Sequence, residues 1–447
     1  VVHSGTFAGG DAAGYFEILS PSGAFTNGEG IGNGTWTATL DTSGSTVIDH
    51  SGQSDVRAHS FEGSTAENSY LATGSSVVFE INGTNVFPII REGATDGVNH
   101  VSVFANHLFL GSVGSLINSA PNDPRDFTAL GGASVTVVGT EIQGLQDESF
   151  DSLIVYGADS TYYLTGTSST DFLLSPISRD TAPIPGTMQM AGSPIYADRI
   201  GVRRLLPTDA FGNWRVSTLT SKVEPYFRAF VKAGITPVGS MRVRDRDLYR
   251  LFMSDGSVIS LFFSGNGIEI GRLNLPIIMS CSWVATGTDT GDVVLIGASD
   301  GFVYEFDIGG SMDGEDIVSF ATLSPFSAGA PRQNKRFVKA SIEMTGQPSV
   351  SLGVSAEYDY GDPEGPLSST ALYGSTGAAV GVAAIWDIAE WDEAPWSASM
   401  VESRLAQLDG KGRNVLFSMN GQGLHTDPHS ITAVTFNVIY RGVARAA

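Results

Sequence analysis

The sequence is poor in features that crosslink a chain or anchor it in a membrane. It has a single cysteine, Cys281, so no disulfide can form within the chain. Met279 and Trp283 lie beside Cys281, which predicts a small buried thiol. The longest nearly apolar run, 378–386, contains Gly381 and falls far short of the roughly 20 residues that a membrane helix needs. We therefore expect a soluble chain without membrane insertion, stabilised by packing or assembly.

Charged residues are also scarce. They make up 16% of the chain, which is below the usual quarter, whereas glycine occurs 54 times. This composition predicts many turns and few solvated helices. At 447 residues the chain exceeds what one compact core supports, about 250 to 300 residues, unless the architecture is a ring or an array.

Positive charge is confined to one part of the sequence. The net charge is −17 over residues 1–198, which contain no lysine, +7 over residues 199–250 and −12 over the remainder. A basic segment between two acidic regions suits pairing with a surface of opposite sign, such as another copy of the chain.

Apolar and polar residues alternate through most of the sequence, in runs of five to eight residues separated by Gly, Asn or Asp. The predicted hairpins are centred near Gly74, Asn106, Asp159, Ile200, Asp255 and Asp300. Their spacing scatters around the 40 to 50 residues of one β-propeller blade. A blade cannot cover both of its faces alone, so blades pack side by side around an axis.

We therefore predict an all-β protein, a β-propeller with an additional antiparallel β-domain and few short helices. Stacked β-sandwiches remain the alternative, because any β-rich chain contains frequent hairpins. The predicted domains are a Gly-rich N-terminal β module or arm over 1–60, the propeller over 61–330 and a C-terminal antiparallel domain over 331–447.

Two segments carry helix signals. Residues 223–234 have Pro225 in a first turn and Gly234 as a stop. Residues 397–412 place Met400, Val401, Leu405 and Leu408 at helical spacing before Gly410. Both segments predict short helices.

Motifs for catalysis or cofactor binding are missing. There is no nucleophile elbow, P-loop, HExxH or paired-cysteine signature. His425 and His429 flank Pro428 in a predicted loop, and the acidic stretch 313–316 lacks the further ligands of an EF-hand. We expect no metal, no cofactor and no catalytic residue.

Glycan chemistry is the alternative, because propellers also carry glycosidase sites built on two carboxylates. Such groups could come from acidic residues near strand starts that could face a central channel: Asp147, Glu148, Asp151 and Asp245. An aspartate at a hairpin tip more often bonds its own backbone.

The basic segment supplies the candidate interface residues. Arg242, Arg244 and Arg246 alternate in sequence, which predicts that all three point to one side of a strand. Arg199, Arg203 and Arg204 are expected in the same region. A contact with an acidic patch of a neighbouring subunit is favoured over a solvated face, and both over a phosphate-binding stripe, because acidic residues interleave with the arginines.

Several segments resemble tail nozzle proteins of short-tailed bacteriophages, the tubular tail protein B or phage stabilisation protein family. They are VFANHLFLGSVGSLINSAPNDPRDFTALG, FDSLIVYGADSTYYLTG, RVRDRDLYRLFMSDGSVISLFF, KRFVKASIEMTGQPSVSLGVSAEYDYGD, AAIWDIAEWDEAPW and ITAVTFNVIYRG. They occur in order between about residues 70 and 447.

The resemblance implies a structural virion protein located in the tail and assembled in the host cytoplasm. It implies a homo-hexameric ring below the portal and the adaptor, or head-to-tail connector, that extends the channel for DNA ejection. A tail fibre or spike protein would attach to the ring, and genomic DNA would pass through the lumen without sequence-specific binding. No catalytic residue accompanies the family. The alternative is a propeller-type glycan-binding protein or glycoside hydrolase of a virion or cell surface.

Overall fold

The fold is described from a computed structural model. The residues that it describes are 3–6, 12–15, 30–32, 37–39, 55–61, 67–83, 85–91, 95–148, 152–179, 183–207, 214–264, 267–286, 291–309, 311–315, 317–346, 352–359, 370–371, 401–421 and 429–440. The chain divides into two units, Val1–Phe306 and Asp307–Ala447.

The first unit begins with two strand pairs. They are β1 (His3–Thr6) with β2 (Ala12–Tyr15), and β3 (Gly30–Gly32) with β4 (Thr37–Thr39).

Antiparallel strands make up most of the remaining described residues of this unit. They are β5 (Asp55–His59), β6 (Asn68–Ala72), β7 (Val78–Asn82), β8 (Asn85–Ile89), β9 (Val98–Phe104), β10 (His107–Asn118), β11 (Ser134–Glu148), β12 (Ser152–Gly157), β13 (Thr161–Thr165), β14 (Leu173–Ser178), β15 (Gln189–Met190), β16 (Pro194–Ala197), β17 (Val202–Pro207), β18 (Trp214–Thr218), β19 (Pro237–Val243), β20 (Leu248–Met253), β21 (Ser257–Ser264), β22 (Gly267–Asn274), β23 (Met279–Thr286), β24 (Asp292–Ala298) and β25 (Val303–Phe306).

Two of these strands fold back on themselves. The N–H of Ser119 donates to the carbonyl of Leu108 at 2.9 Å, although a straight strand would separate these residues by about 36 Å. Gly114, with a positive φ of 85°, makes the reversal inside β10. Gly139, with a φ of 81°, lies between residues 134–137 of β11, which pair with β10, and residues 142–148, which pair with β12. The six-stranded sheet β9–β14 is therefore two blades.

Six blades follow one another between Asp55 and Phe306. Blade 1 is β5–β8, blade 2 is β9, the two halves of β10 and the first half of β11, and blade 3 is the second half of β11 with β12–β14. Blade 4 is β15–β18, blade 5 is β19–β22 and blade 6 is β23–β25. The first strands of successive blades contact one another in chain order. This is the side-by-side packing of a β-propeller, as predicted.

Five hydrophobic cores lie between consecutive blades. Each contains buried side chains from both neighbours, for example Tyr70 with Leu108, Phe109 with Leu153, and Phe252 with Ile296. First strands run in the same direction: Gly186 and Met190 accept hydrogen bonds from Ser240 and Arg242 of the next blade, in the same order along both strands. A blade thus has a first-turn end, where its first and second strands join, and a second-turn end, where its second and third strands join.

The second-turn end carries a recurrent aspartate. Oδ1 of Asp198, Asp255 and Asp300 accepts an N–H two residues ahead, at 2.8, 2.9 and 3.0 Å. These bonds fix the hairpin tips of three consecutive blades. The prediction that such aspartates bond their own backbone is correct for these hairpins.

One of the two predicted helices is confirmed. Helix α1 (Glu224–Ala233) follows a 3-10 turn (Ser221–Val223) and ends at Gly234, whose N–H reaches the carbonyls of Phe230 and Val231. Phe227 and Phe230 are buried in the core between blades 4 and 5. A second 3-10 turn covers Ala129–Gly131.

The second predicted helix is wrong. Residues Val401–Gly412 form a strand that pairs with Lys335–Gly346 over almost its full length. Cross-strand pairing therefore overrides helical spacing here.

The second unit contains two antiparallel sheets. The strands are β26 (Ser319–Thr322), β27 (Lys335–Gly346), β28 (Leu352–Tyr358), β29 (Thr370–Ala371), β30 (Val401–Gly412), β31 (Val415–Gly421) and β32 (His429–Tyr440). Their orders are β26-β31-β28-β29 and β30-β27-β32, with a common core that includes Ile342 and Phe417. The unit begins before residue 331, because β26 pairs with β31.

The thiol of Cys281 is exposed rather than buried. A register shift between Met279 and Cys281 adds a residue to β23. Met279 therefore faces blade 5, while Cys281 and Trp283 face the other way.

Candidate functional site

The predicted arginine stripe is split between two blades. Arg199 lies in the turn between β16 and β17, and Arg203 and Arg204 follow on β17. Strand β19 ends at Val243, so only Arg242 of the second group is on a strand. Arg244 and Arg246 lie in the following turn, and the prediction that all three arginines share one side of a strand is wrong. The alternation of charge reflects a tight turn in which Asp247 has a φ of 46°.

The two arginine groups lie at opposite ends of the blades. The turn that holds Arg199 joins the second and third strands of blade 4. The turn that holds Arg244 joins the first and second strands of blade 5. Because the first strands run in parallel, these turns point in opposite directions along the propeller axis. The arginines therefore do not form one surface.

Three of the six arginines are held by their own blades or by the blade beside them. Nε of Arg203 donates to Asp198 at 2.8 Å, and its Nη1 bonds Thr218. Nε of Arg204 donates to Ser193. Arg242 donates to the carbonyl of Met190 and lies 3.7 Å from Asp247, and burial lowers the pKa of its guanidinium.

The exposed members of the set are Arg199, Arg244 and Arg246. The neighbouring blade holds the turn that carries Arg244. Oδ2 of Asp292, in blade 6, accepts the N–H of Arg244 at 2.5 Å and that of Asp245 at 3.2 Å. The arrangement can therefore present a guanidinium to a neighbour from a firmly held backbone.

A cleft opens at the first-turn end of blades 1 to 3. Its volume is about 580 Å³, and its walls come from the end of β5, the β9–β10 turn, the end of β11 and the turn after β13. The side chains that line it are His59, Val103, Phe104, Ala105, Asn106, Asp147 and Thr167, with Gly166. An aromatic ring beside carboxylate, amide and imidazole groups can bind a polar ligand that has an apolar face.

Four titratable side chains lie close together below the cleft. Nη1 of Arg57 lies 3.9 Å from Oδ1 of Asp147, and Nη2 donates to the carbonyl of Leu145 at 3.3 Å. Oδ2 of Asp55 accepts the N–H of Val101 at 3.2 Å and lies 3.9 Å from Nδ1 of His100. Burial raises the pKa of Asp55 to about 6, although Arg57 opposes this, and burial lowers the pKa of His100 to about 4.

The four carboxylates suggested for glycan chemistry have different environments. Asp147 lines the cleft, and Asp245 lies in the turn held by Asp292. The side chain of Glu148 and all of Asp151 lie outside the described residues. Sequence analysis does not identify Phe104 or His59 as cleft residues, because the cleft joins turns that are far apart in the chain.

No group of three or more His, Cys, Asp or Glu side chains could hold a metal ion within the described part of the chain. His425 and Asp316 lie outside that part. Among the same residues, no helix has the length and apolar character to cross a membrane.

No protein-family model matches the sequence, and no curated protein matches it. Solved structures with a similar arrangement include BBS1N in complex with ARL6DN, at 14% identity and a TM-score of 0.41, covering 58% of this chain and 79% of that chain. YCF48 bound to D1 peptide has 10% identity and a TM-score of 0.36, covering 53% and 73%. The extracellular domain of the hybrid two component system BT4673 from B. thetaiotaomicron has 8% identity and a TM-score of 0.37, covering 61% and 34%.

Proposed function

We propose that the chain is a structural protein of a bacteriophage virion, a tail nozzle subunit. Six copies would form a ring below the portal and adaptor and extend the channel through which DNA leaves the capsid. The adaptor and a tail fibre or spike protein would be its partners. The ring would be assembled in the host cytoplasm and would function without catalysis.

One observation carries the proposal beyond the resemblance of its segments: exposed arginines lie at both ends of the propeller of a chain with a net charge of −22. A cyclic ring needs contacts between two unlike patches of each subunit. Arg199 at the second-turn end and Arg244 at the first-turn end can each meet an acidic surface of a neighbour. The overall acidity also suits a DNA channel, because basic linings bind phosphate and slow its passage.

The test is the oligomeric state of the full chain, measured by native mass spectrometry and electron microscopy with and without the adaptor protein. We expect hexameric rings. Arg199→Glu and Arg244→Glu should each lower the hexamer fraction at moderate salt, and the double variant should lower it further.

Lys232→Glu is the matched control, because it makes the same charge change at an exposed position of α1, in the same basic segment. It should leave the rings intact. A chain that stays monomeric with the adaptor at every concentration contradicts the proposal. If rings persist in both arginine variants, Arg199 and Arg244 do not contribute to the subunit interface, but the proposal of a ring still stands.

The cleft favours a second candidate function, glycan binding. Phe104 offers an apolar ring for a sugar face, and Asn106 and Asp147 offer hydrogen-bonding groups around it. Hydrolysis would need a second carboxylate beside the bond, and Asp147 is the one carboxylate among the described lining residues. Binding is therefore the form of this candidate that the cleft supports.

A glycan array probed with the full chain tests the second candidate. Phe104→Ala and Asp147→Asn should each weaken binding at least about tenfold, a loss of roughly 1.4 kcal/mol. Asp159→Asn, at an exposed second-turn position, should not change it. An array on which nothing binds excludes this candidate.

A further inference from the structure

The outermost strand of blade 2 has a free edge. Residues 134–137 of β11 pair with β10 on one side. Among the described residues no strand pairs with their other side, because β12 pairs with residues 142–148 of β11 instead. The free edge therefore presents unpaired backbone N–H and C=O groups at the rim of the propeller.

The outermost strands of the other blades are protected against pairing. A proline or a charged side chain in an edge strand discourages the addition of a strand from another chain. Each of the other outermost strands described contains at least one such residue: Pro88 in β8, Pro176 in β14, Arg215 in β18, Glu269 and Arg272 in β22 and Glu305 in β25. Residues 134–137 contain neither, so among these six strands the edge of blade 2 alone lacks this protection.

The same strand carries exposed apolar side chains. Val135 is 62% exposed and Val137 is 76% exposed. They flank Thr136, so both valines point to one face of the blade. Leu130, in the 3-10 turn just before the strand, is also exposed. β-Branched residues pair well across strands. This edge therefore has both the backbone groups and the side chains to accept a further strand.

The strand is complementary to a second copy of itself. In an antiparallel pair centred on Thr136, this threonine lies opposite the same threonine of the second copy, and Val135 lies opposite Val137. Pairs of threonines and pairs of β-branched residues both stabilise antiparallel ladders. A strand that suits its own sequence in this way favours self-pairing.

Charge favours the same contact. Residues 127–140 contain no charged side chain, although the chain has a net charge of −22. Two copies can therefore meet at this segment without bringing its acidic groups together. Salt screens the repulsion between the more distant charges over a length of about 8 Å at physiological ionic strength.

We propose that residues 134–137 are a self-association site, at which two copies of the chain pair their edge strands antiparallel about a twofold axis. Blade 2 of one copy and blade 2 of the other then form one continuous sheet. Neighbours within a ring contact each other through unlike patches, whereas a twofold contact joins like patches. The inference is therefore independent of the nozzle function, because this contact joins two rings or two free chains.

Disulfide trapping tests the pairing. The full chain carries Cys281→Ser, which removes the single native thiol, and Thr136→Cys, which places a thiol at the proposed twofold axis. Mild oxidation should give a covalent dimer on a non-reducing denaturing gel, because directly opposite side chains in an antiparallel pair lie about 4.5–5.5 Å apart. The matched control is Cys281→Ser with Ser175→Cys, at a partly exposed position of the outermost strand of blade 3. The control should run as a monomer.

The register has a test of its own. Chains with Val135→Cys and size-tagged chains with Val137→Cys, both with Cys281→Ser, are mixed and oxidised. They should crosslink to each other more than to themselves, because only the mixed pair places the two thiols directly opposite.

A charge on the edge tests the association itself. Val137→Lys supplies the protection that the other edges have, so it should lower the constant for association of two chains or two rings at least about tenfold in sedimentation equilibrium. Leu173→Lys makes the same change at a 62% exposed position of the outermost strand of blade 3 and should leave that constant unchanged.

Two results would overturn the proposal. One is a crosslink yield no higher than that of the Ser175 control in both the Thr136 variant and the mixed pair. The other is an association constant that Val137→Lys leaves unchanged. Either result would leave the free edge to an extended segment of a different protein.

Discussion

Asp245 and Asp292 lie on adjacent blades and hold each other's loops. Oδ2 of Asp292 accepts the N–H of Asp245 at 3.2 Å, and Oδ2 of Asp245 accepts the N–H of Asp292 at 3.4 Å. Asp292 also accepts the N–H of Arg244. The two carboxylates thus cap backbone N–H groups and join blade 5 to blade 6. This is a structural role for Asp245, which sequence analysis suggests as a candidate glycosidase carboxylate.

Asp292→Ala should destabilise the protein by about 0.5–1.5 kcal/mol, because two exposed N–H groups exchange a carboxylate acceptor for water. Asp292→Asn keeps one side-chain oxygen and should cost less. Urea unfolding followed by tryptophan fluorescence measures both. Equal stability of the Ala variant and the wild type would mean that water replaces the carboxylate at no cost.

Asp55 and His100 should give opposite pH dependences. The pKa of Asp55 rises from 3.8 to about 6 on folding, so its contribution to stability is present below about pH 4 and is lost as the pH rises to 6. The pKa of His100 falls from 6.5 to about 4, so its contribution is lost as the pH falls from 6.5 to 4. In the wild type the two slopes offset each other.

Single variants should expose each slope. As the pH rises from 4 to 6.5, the stability of Asp55→Asn should increase by about 2–3 kcal/mol relative to that of the wild type. As the pH rises from 4 to 6, the stability of His100→Gln should decrease by a similar amount relative to that of the wild type. Urea midpoints at pH 4, 5, 6 and 7 give the comparison. If the stability of both variants changed with pH in parallel with that of the wild type, the assignment of the two slopes to Asp55 and His100 would be contradicted.

Arg125 and Glu80 form an ion pair between a loop and blade 1. Nε of Arg125 lies 2.6 Å from Oε2 of Glu80, whose side chain is 4% exposed and whose other oxygen accepts from Asn68. Arg125→Met should cost about 1.5–3 kcal/mol, because it removes a charge-assisted hydrogen bond from a buried carboxylate that keeps its bond from Asn68. Adding Glu80→Gln should recover part of that loss. A double variant that is less stable than the sum of the two single changes would argue against the pair.

Lys335 is buried in the second unit. Its Nζ donates to the carbonyls of Ala330, Gln333 and Arg413. Lys335→Met should destabilise this unit by about 2–4 kcal/mol, since three acceptors lose their donor. Lys339→Met, on the same strand but partly exposed, should change stability by less than about 0.5 kcal/mol. Calorimetry of the full chain distinguishes them, and similar effects of both changes would refute the role of Lys335.

Local chemistry explains what the sequence predicted well. Asp255 and Asp300 sit in turns that their own carboxylates stabilise, and Pro225 and Gly234 bound a helix through backbone rules that act over a few residues. These signals do not depend on the rest of the fold.

The missed features depend on distant partners. Residues 401–412 become a strand because Lys335–Gly346 lies beside them, and the exposure of Cys281 follows from one added residue in β23. The cleft needs His59, Asn106 and Asp147, which only blade packing brings together. Local alternation predicts one surface for the arginines, because it does not reveal strand direction or the end of the blade at which each turn lies.

Each core of the propeller joins blades that are neighbours in the sequence. Folding can therefore start at any adjacent pair and spread in both directions, with little entropy lost to long loops. A mutation that disrupts one of blades 2 to 5 should weaken the two cores on either side of it and leave the others native. Unfolding of the propeller should then become less cooperative, rather than involve all blades at once.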